Sequence, residues 1–126
     1  LTPPQVTERV IDAVAGGAGA VIPVLPVTDT LKTVDSSGVV TGTPRRSDMV
    51  AVQTPQGFRW DVLIRAHEAG ASLGADEARA ATDDAGLVEA IGGTVHTVAG
   101  DERSMKVTRP IDLALAQILV AEETSA

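Results

Sequence analysis

Residues Pro26–Phe58 read PVTDTLKTVDSSGVVTGTPRRSDMVAVQTPQGF, and this stretch decides how the rest of the chain is arranged. Alternating apolar and polar residues flank Asp35–Gly38, whose glycine tolerates the positive φ of a tight turn, so Pro26–Arg46 is predicted to form a β-hairpin. Val50–Phe58 then predicts an apolar, buried strand that a proline interrupts, leaving glutamine and threonine side chains at its end. Open α/β sheets bind ligands at such strand ends.

Helices and strands alternate on both sides of this stretch. The N-terminal residues predict a helix to about Ala15, stopped by two glycines, and then a buried strand over Ala18–Val24. Thr82 and Thr108 are the predicted N-caps of the last two helices. The remaining patterns predict a helix over 59–69 and an exposed loop over 70–81. They then predict a helix over 82–91, a strand over 94–99 and a final helix from 108 onward. This alternation predicts a three-layer α/β fold with crossover connections.

Composition limits both the core and the function. Of the 126 residues, 44% are hydrophobic but only 2% are aromatic, so the core must be built from Val, Ala, Leu and Ile, which suits a parallel sheet covered by helices. The net charge of −7 argues against general binding to nucleic acid or to an anionic membrane. The sequence contains no cysteine, which excludes disulfides, thiolate metal sites and cysteine nucleophiles. No apolar run approaches the roughly 20 residues of a membrane-spanning helix.

The chain has two lysines, Lys32 and Lys106, against eight arginines. A chain that otherwise uses arginine for positive charge can reserve lysine for places where a compact ammonium has a purpose, although two solvated lysines would give the same count. Lys106 immediately precedes the predicted start of the last helix, and a helix N-terminus is suited to phosphate oxygens.

Other polar residues have both a structural and a functional interpretation. In the structural interpretation, Arg45 and Arg46 are solvated side chains at the end of a hairpin. In the functional interpretation, a guanidinium binds a phosphate through two parallel hydrogen bonds. Thr30 and Thr54 would be strand-edge and turn hydroxyls, or hydrogen-bonding groups for a ligand. Asp83, with its acidic neighbour, is interpreted as a partner of a helix dipole rather than as a metal ligand. The two histidines lack a second ligand at metal-site spacing.

Five short motifs occur in an order that resembles the 2-C-methyl-D-erythritol 4-phosphate cytidylyltransferase family. In chain order they are Asp29–Lys32, Thr43–Arg46, Gln53–Phe58, Thr82–Ala85 and Lys106–Pro110. The resemblance covers nearly the whole chain, and five ordered motifs are more specific than any one of them. It does not include the Gly-rich nucleotide loop or the metal-site segment of the family. Residues 1–126 are therefore expected to be the C-terminal portion of a single cytidylyltransferase domain.

The resemblance implies a Rossmann-like nucleotidyltransferase fold with a protruding β-hairpin dimerisation arm at about residues 26–46. It implies an enzyme of non-mevalonate isoprenoid synthesis that uses CTP and methylerythritol phosphate, works as a cytoplasmic homodimer, and needs Mg²⁺ held mainly by residues outside this chain. Thr30, Arg46 and Thr54 would hold the acceptor phosphate, and Arg46 and Lys106 would be catalytic, with Lys106 reaching the phosphates of CTP. Neither nucleic acid nor membrane is an expected partner.

Two alternatives stay open on the sequence. Related cytidylyltransferases share these motifs, so the acceptor could be another polyol phosphate such as ribitol 5-phosphate. The chain could also be a non-catalytic dimerisation fragment that keeps the arm and lacks the nucleotide loop.

Overall fold

The computed structural model describes residues 1–72 and 82–125. Within those ranges, helices and strands alternate around a hairpin, and a 3₁₀ turn at Arg46–Asp48 follows the hairpin. The loop predicted at 70–81 was wrong for residues 70–72, because the preceding helix continues to Ser72. The other residues of that prediction, 73–81, lie outside the described residues. The elements are α1 (Pro4–Ala15), β1 (Ala20–Pro26), β2 (Thr33–Val34), β3 (Val40–Gly42), β4 (Val50–Val52), β5 (Gly57–Phe58), α2 (Trp60–Ser72), α3 (Asp84–Ala90), β6 (Val95–Ala99) and α4 (Pro110–Ser125).

Strand β1 is the centre of a mixed sheet. On one edge it pairs in parallel with β6, from Ala20 opposite Val95 to Val24 opposite Ala99. On the other edge it pairs antiparallel with β4 and, further back along the same edge, with β5. The strands β4 and β5 are therefore two parts of one interrupted strand. The predicted α/β class is confirmed. The sheet is mixed rather than parallel, because β4 and β5 return along the antiparallel edge of β1.

A proline lies inside this central strand, at a place where its missing N–H costs little. Pro23 is fully buried, and its carbonyl accepts a hydrogen bond from the Gln53 N–H at 2.8 Å. Because the N–H and C=O of one strand residue point to the same side, the nitrogen of Pro23 faces the edge of β1 where β4 ends and β5 has not begun. Proline is tolerated in a sheet where no ladder bond is required of its nitrogen.

Helices cover both faces of the sheet. On one face, Ala20 packs with Ala66 of α2 and Val88 of α3, and all three side chains are fully buried. On the other face, α1 lies so close to the sheet that a Cβ added to Gly57 would be 2.4 Å from Val10 Cγ1. The described residues thus form helix, sheet and helix layers. None of their helices has the length and hydropathy that crossing a bilayer requires.

One prediction of burial was wrong for the described residues. Val50 and Val52 were expected in a buried strand, but they are 48% and 49% exposed because β4 is an edge strand. The last helix also leaves Ile111, Leu115 and Ile118 exposed. Local apolar patterning specifies which residues can be buried, but not which other element covers them.

The hairpin is present and shorter than predicted, since only β2 and β3 pair. Gly38 adopts a φ of +84° at the turn, and this is the positive φ that the sequence predicted for this glycine. The Asp35 carboxylate accepts hydrogen bonds from the Ser37 hydroxyl and from the N–H groups of Val39 and Ser37, and these bonds lower the pKa of Asp35. The turn is thus held by its own side chains.

The contact between α1 and the sheet gives a first prediction. Gly57→Ala should lower the free energy of unfolding by about 1–3 kcal/mol, because the new methyl group overlaps Val10 Cγ1 and meets Val14 Cγ2 at 3.2 Å. Urea unfolding of the chain measures the loss. In a Val10→Ala background the same change should cost clearly less, because the overlapping methyl has been removed. Equal costs in both backgrounds would contradict the assigned contact.

Candidate functional site

A cavity of about 550 Å³ opens where the interruption between β4 and β5 pushes Gln53–Gln56 out of the sheet. Thr54 and Gln56 form part of its wall, Thr82 and Asp83 before α3 form another part, and the loop after β6 completes it with Ser104, Met105 and Lys106. A second cavity of about 510 Å³ adjoins it and shares Thr54, Gln56 and the residues before α3. The protruding segment therefore lies between two concave surfaces.

Gln56 fastens this segment to the start of α3. Its Nε2 donates to Asp83 Oδ2 at 2.7 Å, and its Oε1 accepts from the Ala85 N–H at 3.3 Å. Asp83 is itself the N-cap of the helix, since its Oδ1 accepts from the Gly86 N–H at 2.8 Å. The prediction that Thr82 caps this helix was wrong, because the helix begins one residue later and the longer-reaching carboxylate of Asp83 takes that role. Thr82 lines the cavities instead.

Gln53 fastens the other end of the segment to the loop that follows β6. Its Oε1 accepts from the Asp101 N–H at 3.0 Å, and its Nε2 donates to the Asp101 carbonyl at 2.8 Å. The sequence pointed to Gln53 as a polar side chain at a strand end, but gave no indication that another part of the chain would bind it.

Of the four residues predicted for the site, the structure brings two together. Thr54 and Lys106 line the same cavity, and both are exposed. Thr30 and Arg46 lie on the hairpin side and line neither of these cavities. Arg46 Nη1 donates to the Thr28 carbonyl at 2.9 Å, while its neighbour Arg45 forms an ion pair with Asp48 at 3.8 Å.

Lys106 makes no hydrogen bond or ion pair with any residue in the described ranges, so its ammonium is available to a ligand. The other lysine differs in this respect, since Lys32 Nζ donates to Thr43 Oγ1 at 2.6 Å. A further polar group, the Ser104 hydroxyl, is buried without a hydrogen-bond partner among the described residues. Nothing in the sequence pattern singled out Ser104.

The helix that follows Lys106 begins at Pro110 and is held by one carboxylate. Asp112 Oδ2 accepts from the N–H groups of Arg109 and Thr108, and both of its oxygens accept from the Arg109 guanidinium. These bonds, with the Arg109 side chain first, hold the pKa of Asp112 well below its ordinary value. The prediction that Thr108 caps the helix was wrong, because the helix begins at Pro110 and the residue that flanks it is Arg109. The Thr108 hydroxyl instead donates to Asp112.

The described residues do not fit a magnesium site. They contain no group of three or more His, Cys, Asp or Glu side chains arranged to hold a metal ion. The cavity carboxylate, Asp83, already accepts a hydrogen bond on each of its oxygens. His67, one of the histidines that the sequence argued against as a ligand, pairs with Asp84 at 2.9 Å.

Comparisons with known proteins identify the family of this chain. The family model described as IspD, 2-C-methyl-D-erythritol 4-phosphate cytidylyltransferase, matches residues 1–122. The chain belongs to this family. The resemblance carried by the five ordered motifs is thereby confirmed.

Individual relatives show the same family and a difference in length. The chain is 52% identical over 122 residues to the 2-C-methyl-D-erythritol 4-phosphate cytidylyltransferase of Rhodococcus jostii, a match that covers 97% of this chain and 51% of the relative. It is similar to the crystal structure of the cytidylyltransferase from Thermus thermophilus, with a TM-score of 0.79 and 38% identity, over 94% of this chain and 56% of that one. The structure of the corresponding synthase from Anaerococcus prevotii matches with a TM-score of 0.83 and 25% identity, over 96% and 54% of the two chains. The chain thus spans about half the length of these relatives.

The Asp112 contacts predict how the start of α4 depends on pH. The folded-state pKa lies below the ordinary value of about 3.9, so the stabilisation is complete above that value and is lost as the pH falls below it. Carbon chemical shifts of α4, followed by NMR from pH 6 to pH 2, should report a falling helix population. Asp112→Asn should already show a weakened first turn at pH 6 and little further change on acidification.

Asp12→Asn, which alters an exposed carboxylate on α1, is the matched control and should leave the response of α4 unchanged. If the pH response of α4 were the same in the parent chain and in the Asp112→Asn variant, another group would control the helix start.

Proposed function

We propose that the polypeptide carrying this sequence is a cytidylyltransferase that joins CTP and 2-C-methyl-D-erythritol 4-phosphate. The products are 4-diphosphocytidyl-2-C-methyl-D-erythritol and pyrophosphate, in the non-mevalonate route to isoprenoids. The proposal rests on one observation: Thr54 and Lys106 line the same cavity in a chain that belongs to this family. As a proposal on domain organisation, residues 1–126 form the C-terminal portion of one catalytic domain, because the motif order follows that part of the family pattern.

In the proposed reaction, a phosphate oxygen of methylerythritol phosphate attacks the α-phosphorus of CTP. A bond forms between that oxygen and the α-phosphorus, the bond to the bridging oxygen breaks, and pyrophosphate leaves with the electron pair. Such a transfer depends on holding two polyanions in line and on cations placed where charge develops. The free ammonium of Lys106 suits the second task, and the exposed hydroxyl of Thr54 can donate to a phosphate oxygen.

In this proposal, the hairpin is a dimerisation arm. Its residues Thr30 and Arg46 bind the acceptor phosphate. They line neither cavity of their own chain, so they would act at the cavity of a second copy. Three valines of the hairpin support an interface, since Val34, Val39 and Val40 are 59%, 60% and 55% exposed. A two-stranded hairpin is marginally stable alone in water, and a partner that covers these valines would stabilise it.

In this proposal, the Mg²⁺ that the family resemblance implies is held mainly by residues outside this chain. The described residues contain no group of three or more side chains that could ligate a metal ion. The same proposal places the enzyme in the cytoplasm, where CTP and sugar phosphates are available. Two alternatives remain distinct from it: an enzyme that loads another polyol phosphate such as ribitol 5-phosphate, and a non-catalytic dimerisation fragment.

Pyrophosphate release by the natural polypeptide separates these possibilities. The assay contains CTP and magnesium, with methylerythritol phosphate in one sample and ribitol 5-phosphate in another. Turnover with the first acceptor is expected. Turnover with ribitol phosphate alone would favour the other acceptor, and no turnover with either would favour the non-catalytic module.

Arg46 should govern the affinity for the acceptor. Arg46→Ala should raise the acceptor KM by roughly 10- to 100-fold, because a charged hydrogen bond to phosphate contributes about 1.5–3 kcal/mol, while the KM for CTP should stay nearly unchanged. Arg45→Ala is the matched control, since it removes the same type of side chain from the adjacent position, and it should leave both constants near their original values. An unchanged acceptor KM in Arg46→Ala would exclude the assigned role.

Mixing two impaired variants tests whether the arm acts on the partner subunit. At an acceptor concentration well below the original KM, Arg46→Ala and Lys106→Ala are each expected to have low activity. After subunit exchange at equal amounts, half of the dimers carry one chain of each kind, and one of their two cavities combines an intact Lys106 with an intact Arg46. The mixture should then regain roughly a quarter of the original activity. No recovery in a mixture shown to contain mixed dimers would contradict an arm that acts across the interface.

A further inference from the structure

The side chain of Gln53 is bound to protein rather than left free for a ligand. Both halves of its amide pair with the backbone of Asp101, a residue 48 positions further along the chain. The two hydrogen bonds, at 2.8 and 3.0 Å, fix the amide plane as well as its position. A residue at the strand end therefore holds a distant loop.

The segment that receives Gln53 fits it closely. A Cβ added to Gly100 would overlap Gln53 Oε1 and would lie 3.0 Å from the Val24 carbonyl, so a larger residue at this position would displace the Gln53 amide. The Gly100 N–H donates to that same carbonyl at 2.9 Å. From α1, Arg9 Nε donates to the Ala99 carbonyl at 2.8 Å. The end of β6 is thus fixed from two sides.

This fixed segment leads directly into the loop that carries Lys106. The Asp101 carbonyl that accepts from Gln53 also accepts from the Ser104 N–H at 2.9 Å, and Asp101 Oδ1 accepts from the Arg103 N–H at 2.9 Å. Lys106 follows two residues after Ser104, and no described side chain binds its ammonium. Its position over the cavity therefore depends on the backbone of this loop.

We propose that Gln53 is a positioning residue for Lys106. The hydrogen bonds between Gln53 and Asp101 fix the loop that carries the Lys106 ammonium. The next residue, Thr54, lines another part of the same cavity. One side chain thereby fixes the spacing between the Thr54 hydroxyl, which holds the acceptor phosphate, and the Lys106 ammonium, which orients the attack of that phosphate on CTP. This inference rests on the proposed function in taking a polyol phosphate as the ligand.

Lys106 and Lys32 allow a direct test by NMR on the natural polypeptide labelled with [ε-¹³C]lysine, with Lys106→Arg and Lys32→Arg used to assign their side-chain signals. Methylerythritol phosphate is titrated in, and inorganic phosphate is used as a second probe for the contribution of the phosphate group. Gln53→Met removes both hydrogen bonds at similar length, and Gln53→Glu keeps an acceptor but loses the donor. Gln5→Glu, at an exposed position on α1, is the matched control. Amide hydrogen exchange is recorded for β1 and for Asp101.

The Lys106 signal should shift with both probes in the parent chain. Both Gln53 variants should need about tenfold more ligand for half-saturation, which corresponds to about 1.4 kcal/mol and is the size expected for one or two neutral hydrogen bonds. Amide exchange at Asp101 should accelerate in Gln53→Met, which has no acceptor for the Asp101 N–H, and exchange in β1 should stay unchanged. This pattern separates displacement of Lys106 from loss of the fold. The Lys32 signal should be the same in all variants, and Gln5→Glu should titrate like the parent.

Two results would overturn the inference: a parent chain whose Lys106 signal does not respond, or a Gln53→Met variant that titrates like the parent although Asp101 exchanges faster. Failure of the proposed function gives a different pattern. If Lys106 responds and depends on Gln53, but the natural polypeptide releases no pyrophosphate with either acceptor, the positioning role stands and the proposed reaction does not.

Discussion

A proline in the central strand is the constraint around which the sheet is built. Pro23 has no N–H to give to the strand beside it, so a continuous partner on that edge would leave one carbonyl without its ladder bond. The neighbouring strand is instead divided into β4 and β5, and the residues between them leave the sheet. The cavity thus opens at the place where Pro23 interrupts the neighbouring strand.

The residues expelled from the sheet then recover their hydrogen bonds from the two sides of the cavity. Gln56 binds the start of α3, and Gln53 binds the loop after β6. A protruding segment with unpaired polar groups would be mobile, whereas one fastened at both ends presents the intervening Thr54 in one position. In this way two amide side chains convert an interruption of the sheet into a defined wall.

Local chemistry made some elements predictable and left others open. The C-terminal end of α1 and the turn at Gly38 follow from signals within a few residues, and the structure agrees with them. The exposure of Val50 and the partner of Gln53 depend on which distant segment lies nearby. Alternating or apolar patterns contain no such information, so the sequence indicated that Gln53 lies near the site without indicating its role.

Charge explains why the position of a single ammonium has large consequences here. The chain carries a net charge of −7, and at physiological ionic strength interactions between exposed charges are screened beyond about 8 Å. An acidic surface therefore gives no long-range attraction to a polyanion, and the attraction must come from cations in contact with the phosphate. Contact attraction falls steeply with misplacement, because water enters between the two charges once the hydrogen bond is broken. A loop fixed by hydrogen bonds at its base is consequently worth more to such a site than additional basic residues elsewhere on the surface.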